Sequence, residues 1–291
     1  MALIAPRLTL GVRRTEMGEK PHARIHVLLS RNGQSGVVFR RGPSKKVCAL
    51  SWDRRDDTFS MGQWLWGRIY ERKCDLSPDG KYLIYFAMTG FEKGETEGSW
   101  TAISRAPFLK ALVLWAKGDC YNGGGLFVGN ERYWLDDGYG HKLVRNSHEV
   151  SRDAEFQPPS VGHSEWPEVY LSRLVRDGWA YIGVRPETKD RKVTIFEKPA
   201  PGGWVLRKIT VAGIHNLPGK GTDYDEHELS DSKGRVLSFP GWEWAEVDGS
   251  RVVFASEGKL CSAELGATGP EAIRELHDFD HYIFERIRAP Y

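Results

Sequence analysis

The feature that most narrows the fold is a recurring pattern: a short run rich in β-branched and aromatic residues, a turn with glycine, then another such run. Residues 24–30 (RIHVLLS) lead through Asn32-Gly33 into residues 36–40 (GVVFR). Asn-Gly between β-branched runs is a strong hairpin signal, because the turn needs positive φ. Asp177-Gly178 precedes WAYIGV, Gly234 precedes RVLSF, Asp248-Gly249 precedes SRVVFA, and Glu257-Gly258 precedes KLCSAEL. Alternation with period two dominates these segments. The pattern predicts an all-β chain with about fifteen strands of ordinary length. Glycine supports this reading: 32 of the 291 residues are Gly, above the ~7% of ordinary proteins. The 15 prolines are ordinary, so the excess glycine speaks for tight turns rather than for a disordered linker.

Residues 106–118 are less decided. Ser104 as a cap, Pro107 in a first turn and Gly118 as a stop suit a helix. The alternation of Leu109, Ala111, Val113 and Trp115 suits a strand, and the β-rich WTAIS just before it tips the reading to strand.

Turn glycines also hint at repetition. Gly33, Gly80, Gly138, Gly178 and Gly234 fall about 40 to 60 residues apart, near the length of a propeller blade. Ser77-Pro78-Asp79-Gly80 runs into KYLIYFA. This segment resembles the Ser-Pro-Asp-Gly signature of Tol-type and WD-like β-propeller repeats, in which a turn feeds a buried strand. The resemblance covers residues 74–87, with weaker echoes at 232–239 and 248–255. Trp52-Asp53 does not stand where a blade-closing Trp-Asp would. The chain as a whole is similar to a bacterial family of propeller-like proteins. The resemblance implies a β-propeller of about five blades of antiparallel strands, with residues 1–291 as one domain. Physics agrees, since a ring of small sheets leaves only short, protected edges. The β-like run at residues 8–12 (LTLGV) is expected to seal the ring against a strand from the last third of the chain.

Charge and cysteine usage bound the partners. Lys and Arg number 41 against 39 Asp and Glu, too even for strong attraction to nucleic acid or an acidic membrane. Cys48, Cys74, Cys120 and Cys261 show no metal-ligand spacing and read as reduced thiols. No apolar stretch approaches the ~18 residues of a spanning helix, and the N-terminal residues lack the order of a secretory signal. The expectation is a cytoplasmic monomer with a protein or small-molecule partner, no nucleic-acid or membrane partner, no cofactor and no metal.

Candidate chemistry is sparse. Gly162-His163-Ser164-Glu165-Trp166 falls short of a nucleophile elbow because Trp166 replaces the final glycine. Asn122-Gly123-Gly124-Gly125 lacks the Lys and Ser/Thr of a phosphate loop and reads as a tight turn. Asp223, Asp225 and His227 share one face of a strand, and Glu226 and Glu228 share the other. That cluster reads first as an exposed acidic loop or edge strand, and second as a ligand or metal site. In His277-Asp-Phe-Asp-His281, Phe279 argues for a partly buried strand. Most of the eleven tryptophans are expected in the core.

The leading expectation is therefore a non-enzymatic propeller-like binding or scaffold protein. Its surface would be formed by the polar loops at residues 153–168 and 219–228, with Trp166 as apolar anchor and Asp223, Asp225 and His227 as polar contacts. The alternatives are a propeller glycosidase or lyase with carboxylates in a central pocket, and a metal-dependent enzyme using the Asp223–His227 cluster.

Overall fold

A computed structural model of the chain describes residues 21–42, 45–161, 169–188, 191–213 and 221–291. Of these, 52% are in strands and 6% in helices. The strands form five sheets, arranged as a β-propeller. Sheet 1 is a meander of β1 (Arg24–Leu29), β2 (Ser35–Arg41), β3 (Lys46–Asp53) and β4 (Thr58–Trp66). Sheet 2 takes β5 (Arg68–Ile69), β6 (Asp75–Leu76), β7 (Tyr82–Met88), β8 (Ser99–Arg105) and β9 (Val113–Ala116). Sheet 3 holds β10 (Gly125–Phe127) and β11 (Arg132–Leu135); β12 (Lys142–Arg145) returns to pair with β9, and β13 (Ser151–Arg152) joins β11. Sheet 4 runs β14 (Ala180–Thr188), β15 (Arg191–Pro199), β16 (Val205–Gly213), β17 (Asp223–Ser230) and β18 (Val236–Phe239). Sheet 5 runs β19 (Trp244–Asp248), β20 (Arg251–Ser256), β21 (Lys259–Gly266) and β22 (Gly269–Asp278).

The turn signals work as read. Asn32-Gly33 lies in the β1–β2 turn, where Ser30 N–H donates to the Ser35 carbonyl at 3.0 Å. In the Ser77–Gly80 turn, Asp79 Oδ1 accepts from Ser77 Oγ at 2.6 Å and from Lys81 N–H at 3.1 Å. Gly80 has φ +80°, and a Cβ there would meet Ser35 Oγ at 2.0 Å. The Pro78 carbonyl accepts from Asn32 N–H at 2.8 Å, so the turn of sheet 2 is fastened to the turn of sheet 1.

Apolar clusters join neighbouring sheets. Leu28, Val37 and Phe39 pack with Ile69, Leu76, Leu83 and Tyr85 between sheets 1 and 2. Tyr82, Ile84 and Val113 pack with Phe127, Tyr133 and Leu135 between sheets 2 and 3. Phe196, Leu206 and Leu229 pack with Ala245, Val252 and Phe254 between sheets 4 and 5. Ile25, Val38, Leu50 and Trp52 pack with Trp244, Val253 and Leu260, which brings sheet 5 back to sheet 1. Arg54–Asp248 at 2.6 Å and Arg251–Asp57 at 2.7 Å reinforce that junction. Among the described residues, closure is by side chains, and no strand of sheet 1 pairs with one of sheet 5. The run at residues 8–12 lies outside the described residues.

Four readings need correction. Residues 106–118 contain no helix, but only Val113–Ala116 forms a strand, and the stretch before it is irregular. The pairing of β13 with β11 is parallel, so the strands are not uniformly antiparallel. Gly178 precedes β14 and Gly234 joins β17 to β18, both in sheet 4; the spaced glycines therefore do not mark one unit each.

The fourth is a helix, α1 (Val169–Arg176), which the strand-based reading missed. Its period is short but present, with Tyr170, Leu171 and Leu174 packed against sheets 4 and 5. It ends where the chain reaches Asp177-Gly178. Trp179 N–H donates to the Leu174 carbonyl at 3.0 Å and Gly178 N–H to that of Val175 at 3.1 Å. Gly178 adopts φ +88°, completing a Schellman stop. The helix places Arg176 against Asp75 of sheet 2 and the Phe127 carbonyl of sheet 3, so α1 bridges the two halves of the ring.

Candidate functional site

The centre of the ring is polar and is built from four sheets and α1. On β16, Lys208 and Thr210 share a face with Leu206. They stand opposite His227 and Asp225 of β17, paired Lys208 with His227 and Thr210 with Asp225. β17 lies between β16 and β18, so the exposed acidic loop or edge strand expected for residues 223–228 is instead an interior strand. The alternation holds. Asp225 and His227 are buried, whereas Glu228 lies on the other face and pairs with Arg207 at 3.2 Å. Asp223 is exposed at the strand's start.

Asp225 is tightly held. It accepts from Arg72 Nη2 at 2.8 Å and from the Tyr170 hydroxyl. Burial alone would push its carboxyl up, but Arg72 and Lys208 outweigh this and hold it well below the ordinary carboxylate range. Two guanidiniums approach the Tyr170 ring, Arg72 at 4.6 Å and Arg173 at 5.3 Å from its centroid. Arg173 donates to the Cys74 carbonyl and meets His26 Nε2 at 3.3 Å. Burial and the Arg173 charge lower the His26 pKa well below its usual value.

His227 Nδ1 lies 2.9 Å from the Trp242 carbonyl. A carbonyl only accepts, so Nδ1 carries the proton and Nε2 faces the Lys208 ammonium at 3.3 Å as a lone pair. Burial first, and Lys208 second, bring the His227 pKa down to about 3. Lys208 also donates to the Ala245 carbonyl at 3.1 Å, and burial lowers its own pKa. Thr210 Oγ1 is buried and has no hydrogen-bond partner among the described residues.

Two cavities flank this layer. One, of about 460 Å³, is lined by His26, Arg72, Asp223, Asp225, Trp242 and Glu243, among others. Its charges are largely matched: Arg24 with Glu243, Arg41 with Glu71, Arg72 with Asp225.

The other cavity, of about 400 Å³, is lined by Arg31, Tyr170, Arg173, Arg176, Lys208 and Trp244, among others. Both volumes suit a small molecule. In the second cavity Arg176 bonds Asp75 at 2.5 Å and Asp177 at 2.9 Å, and Lys198 bonds Glu246 at 2.9 Å. Burial, with the nearby Asp75 charge, raises the Asp177 pKa. Arg31, Arg173 and Lys208 have no carboxylate within salt-bridge distance among the described residues; Arg31 donates to the Phe127 carbonyl at 3.1 Å.

Of the four residues singled out from the sequence, Asp225 and His227 are brought together, Asp223 stands at the rim of the first cavity, and Trp166 lies outside the described residues. Sequence reading missed Lys208, Arg173, Arg72 and His26. Lys208 alternates with Leu206 and Thr210, but its neighbour Arg207 faces Glu197 and Glu228, and nothing local marks which of the two cations points inward. His277 stacks on Phe59 at 4.6 Å beside the buried Phe279, but the strand expected over residues 277–281 ends at Asp278 and the chain turns after it. Trp242 stacks between Phe239 and Phe254 at 4.0 and 4.2 Å, within the core. The four cysteines are free thiols. Among the described residues, no helix is long and apolar enough to cross a membrane.

No family model and no curated protein matches the chain. Solved structures with a similar arrangement include a proposed 6-phosphogluconolactonase from Bacteroides uniformis, at TM-score 0.31 and 9% identity, covering 82% of this chain and 94% of that one. A prolyl endopeptidase matches at TM-score 0.25 and 10% identity, over 87% of this chain and 42% of its own. An ACO/RPE65 chimera matches at TM-score 0.17 and 10% identity, over 88% of this chain and 49% of its own. Likenesses this distant carry no functional argument.

Proposed function

We propose that this protein binds a small anionic molecule in the 400 Å³ axial cavity. One observation carries the reading: Arg31, Arg173 and Lys208 converge on that cavity without carboxylate partners among the described residues. Arg173 and Lys208 are buried, Arg31 is exposed, and the carboxylates near them are bonded to other groups, so a bound anion would offset the cost of burying these cations. Arg31 and Arg173 offer planar, bidentate donors for a carboxylate or phosphate. This sharpens the binding-protein reading to a small-molecule partner.

The alternatives draw less support. Asp75 and Asp177, the carboxylates a glycosidase or lyase would need, both bond Arg176 and fix α1 in the ring. A metal site at Asp223–His227 would need a nitrogen that His227 does not offer, since one donates to Trp242 and the other faces an ammonium.

The test is thermal unfolding with added inorganic phosphate, citrate and pyruvate at neutral pH. A ligand at a hundred times its Kd stabilises by about 3 kcal/mol. At least one anion should raise the Tm of the wild-type chain, and Arg31→Gln should remove most of that rise. No rise with any anion, or an equal rise in the variant, rejects the site.

A further inference from the structure

Lys208 has an unusual set of partners for a buried lysine. Its Nζ touches one neutral imidazole nitrogen, at 3.3 Å, and one backbone carbonyl, at 3.1 Å, and sits 4.8 Å from the Trp179 ring. A lysine that only anchored strands would be expected on a carboxylate. The acidic groups acting on it are Asp225 of β17 and Glu246 of β19, and both are engaged elsewhere. Asp225 is held by Arg72 and Tyr170, and Glu246 by Trp179 and Lys198. The cations Arg72 and Arg173 face it from sheet 2 and α1. The side chain is 1% exposed, yet it lines the cavity that also holds Arg173 and Arg31. Two of its three N–H directions have acceptors.

This arrangement is an amine positioned by a neutral acceptor. His227 is fixed in one tautomer by the Trp242 carbonyl, so its Nε2 lone pair is available to the ammonium. From the cavity, the imidazole and the flanking guanidiniums, we infer that Lys208 is a covalent capture site, forming an imine with a small carbonyl acid, a 2-oxo acid or an aldehyde acid, whose carboxylate is held by Arg31 and Arg173. The inference rests on the anion-binding reading of this cavity and names the ligand class.

The step balances without an oxidant or reductant. The Lys208 ammonium, whose pKa burial lowers, loses a proton to solvent through the cavity. The freed amine lone pair attacks the carbonyl carbon, and the C=O π pair moves to oxygen, which takes a proton back from solvent. The carbinolamine then loses its oxygen as water, with one N–H proton and the proton on oxygen. The product is a protonated imine, so ammonium plus carbonyl gives iminium plus water. Burial first, and the Arg72 and Arg173 charges after it, lower the Lys208 pKa, and the free amine is the form that reacts.

The experiment treats the intact chain with glyoxylate or pyruvate in the presence of borohydride, which reduces an imine to a stable secondary amine, and maps the adduct by peptide mass spectrometry. Lys208 should be labelled at least ten-fold more than any other lysine. His227→Gln should slow the labelling at neutral pH while leaving the circular dichroism spectrum unchanged. Mapping reads Lys208 in the wild-type chain, so the result does not depend on a Lys208 variant folding. Labelling spread evenly over surface lysines, or none at Lys208, overturns the capture site. Lactate and glycolate, which lack the carbonyl, separate the two readings. If they bind in an Arg31-dependent way while Lys208 stays unlabelled, the capture site falls and the anion site stands. If they do not bind and nothing labels Lys208, both fall.

Discussion

Tyr170 of helix α1 donates its hydroxyl to Asp225 of β17, and Arg72 stacks 4.6 Å over the same ring while bonding the other carboxylate oxygen at 2.8 Å. One carboxylate thereby holds a helix, a sheet 4 strand and a sheet 2 turn together at the axis. Asp225→Asn keeps the shape and removes the charge that Arg72 bonds and that lies near Lys208. It should destabilise the chain by about 3 kcal/mol, in the range for breaking a buried ion pair. Asp223→Asn, at the exposed end of the same strand, should stay within about 0.5 kcal/mol. Urea unfolding of both variants checks the contrast, and equal effects would place the axial network outside the stability core.

Stability should depend on pH through the buried imidazoles. His227 titrates near 3 in the folded chain and near ~6.5 when unfolded. Between those values the unfolded state binds the extra proton, so stability is full above about pH 6.5 and falls as pH drops toward 3, by up to about 1.4 kcal/mol per unit. His26, also held low, acts with the same sign. Denaturation midpoints at pH 7.5, 6 and 5 should fall in that order. His227→Gln should flatten the slope, and an unchanged slope would mean that this imidazole is not buried neutral.

Two glycines with positive φ separate conformational cost from steric cost. Gly124 has φ +81°, and a Cβ there would lie 1.8 Å from the Lys73 carbonyl oxygen, which is backbone and cannot step aside. Gly90 has φ +74° and open space around it. Gly90→Ala should lose about 1 kcal/mol, the cost of the left-handed conformation alone. Gly124→Ala should lose clearly more. Thermal melts of the pair decide it, with similar shifts counting against the close approach of residue 124 to the residue 71–73 turn.

Ring closure rests on Arg54, Asp57, Asp248 and Arg251. Arg251 bonds Asp57 through both terminal nitrogens at 2.7 Å and reaches Asp248 at 2.9 Å, while Arg54 bonds Asp248 at 2.6 Å. The bidentate geometry and partial burial predict a coupling of about 1–2 kcal/mol between Arg251 and Asp57, above that of an exposed pair. A double-mutant cycle with Arg251→Met and Asp57→Asn measures it. A coupling near zero would leave closure to the apolar packing of Trp52, Trp244 and Val253.

The sequence by itself determined the local structure. Asn32-Gly33, Ser77–Gly80 and Asp248-Gly249 announce their turns because only a few residues accept positive φ, and β-branched runs on either side alternate with the pleat. It also placed Asp225 and His227 on one face, since a strand's period is two. It did not show which face looks inward, because β17 is polar on both: Asp225 and His227 on one side, Glu226 and Glu228 on the other. That was decided by Lys208 and Thr210 opposite them on β16, by Arg72 from sheet 2, and by α1, whose eight residues are too short for their period to stand out among strands. Asp225 meets Arg72 153 residues away in sequence, and Arg173 meets His26 at a separation of 147. No local pattern encodes such pairs. They exist because packing the sheets and α1 together brings Lys208, Asp225 and His227 of sheet 4 against Arg72, Arg173 and His26, where buried polar groups must take one another as partners.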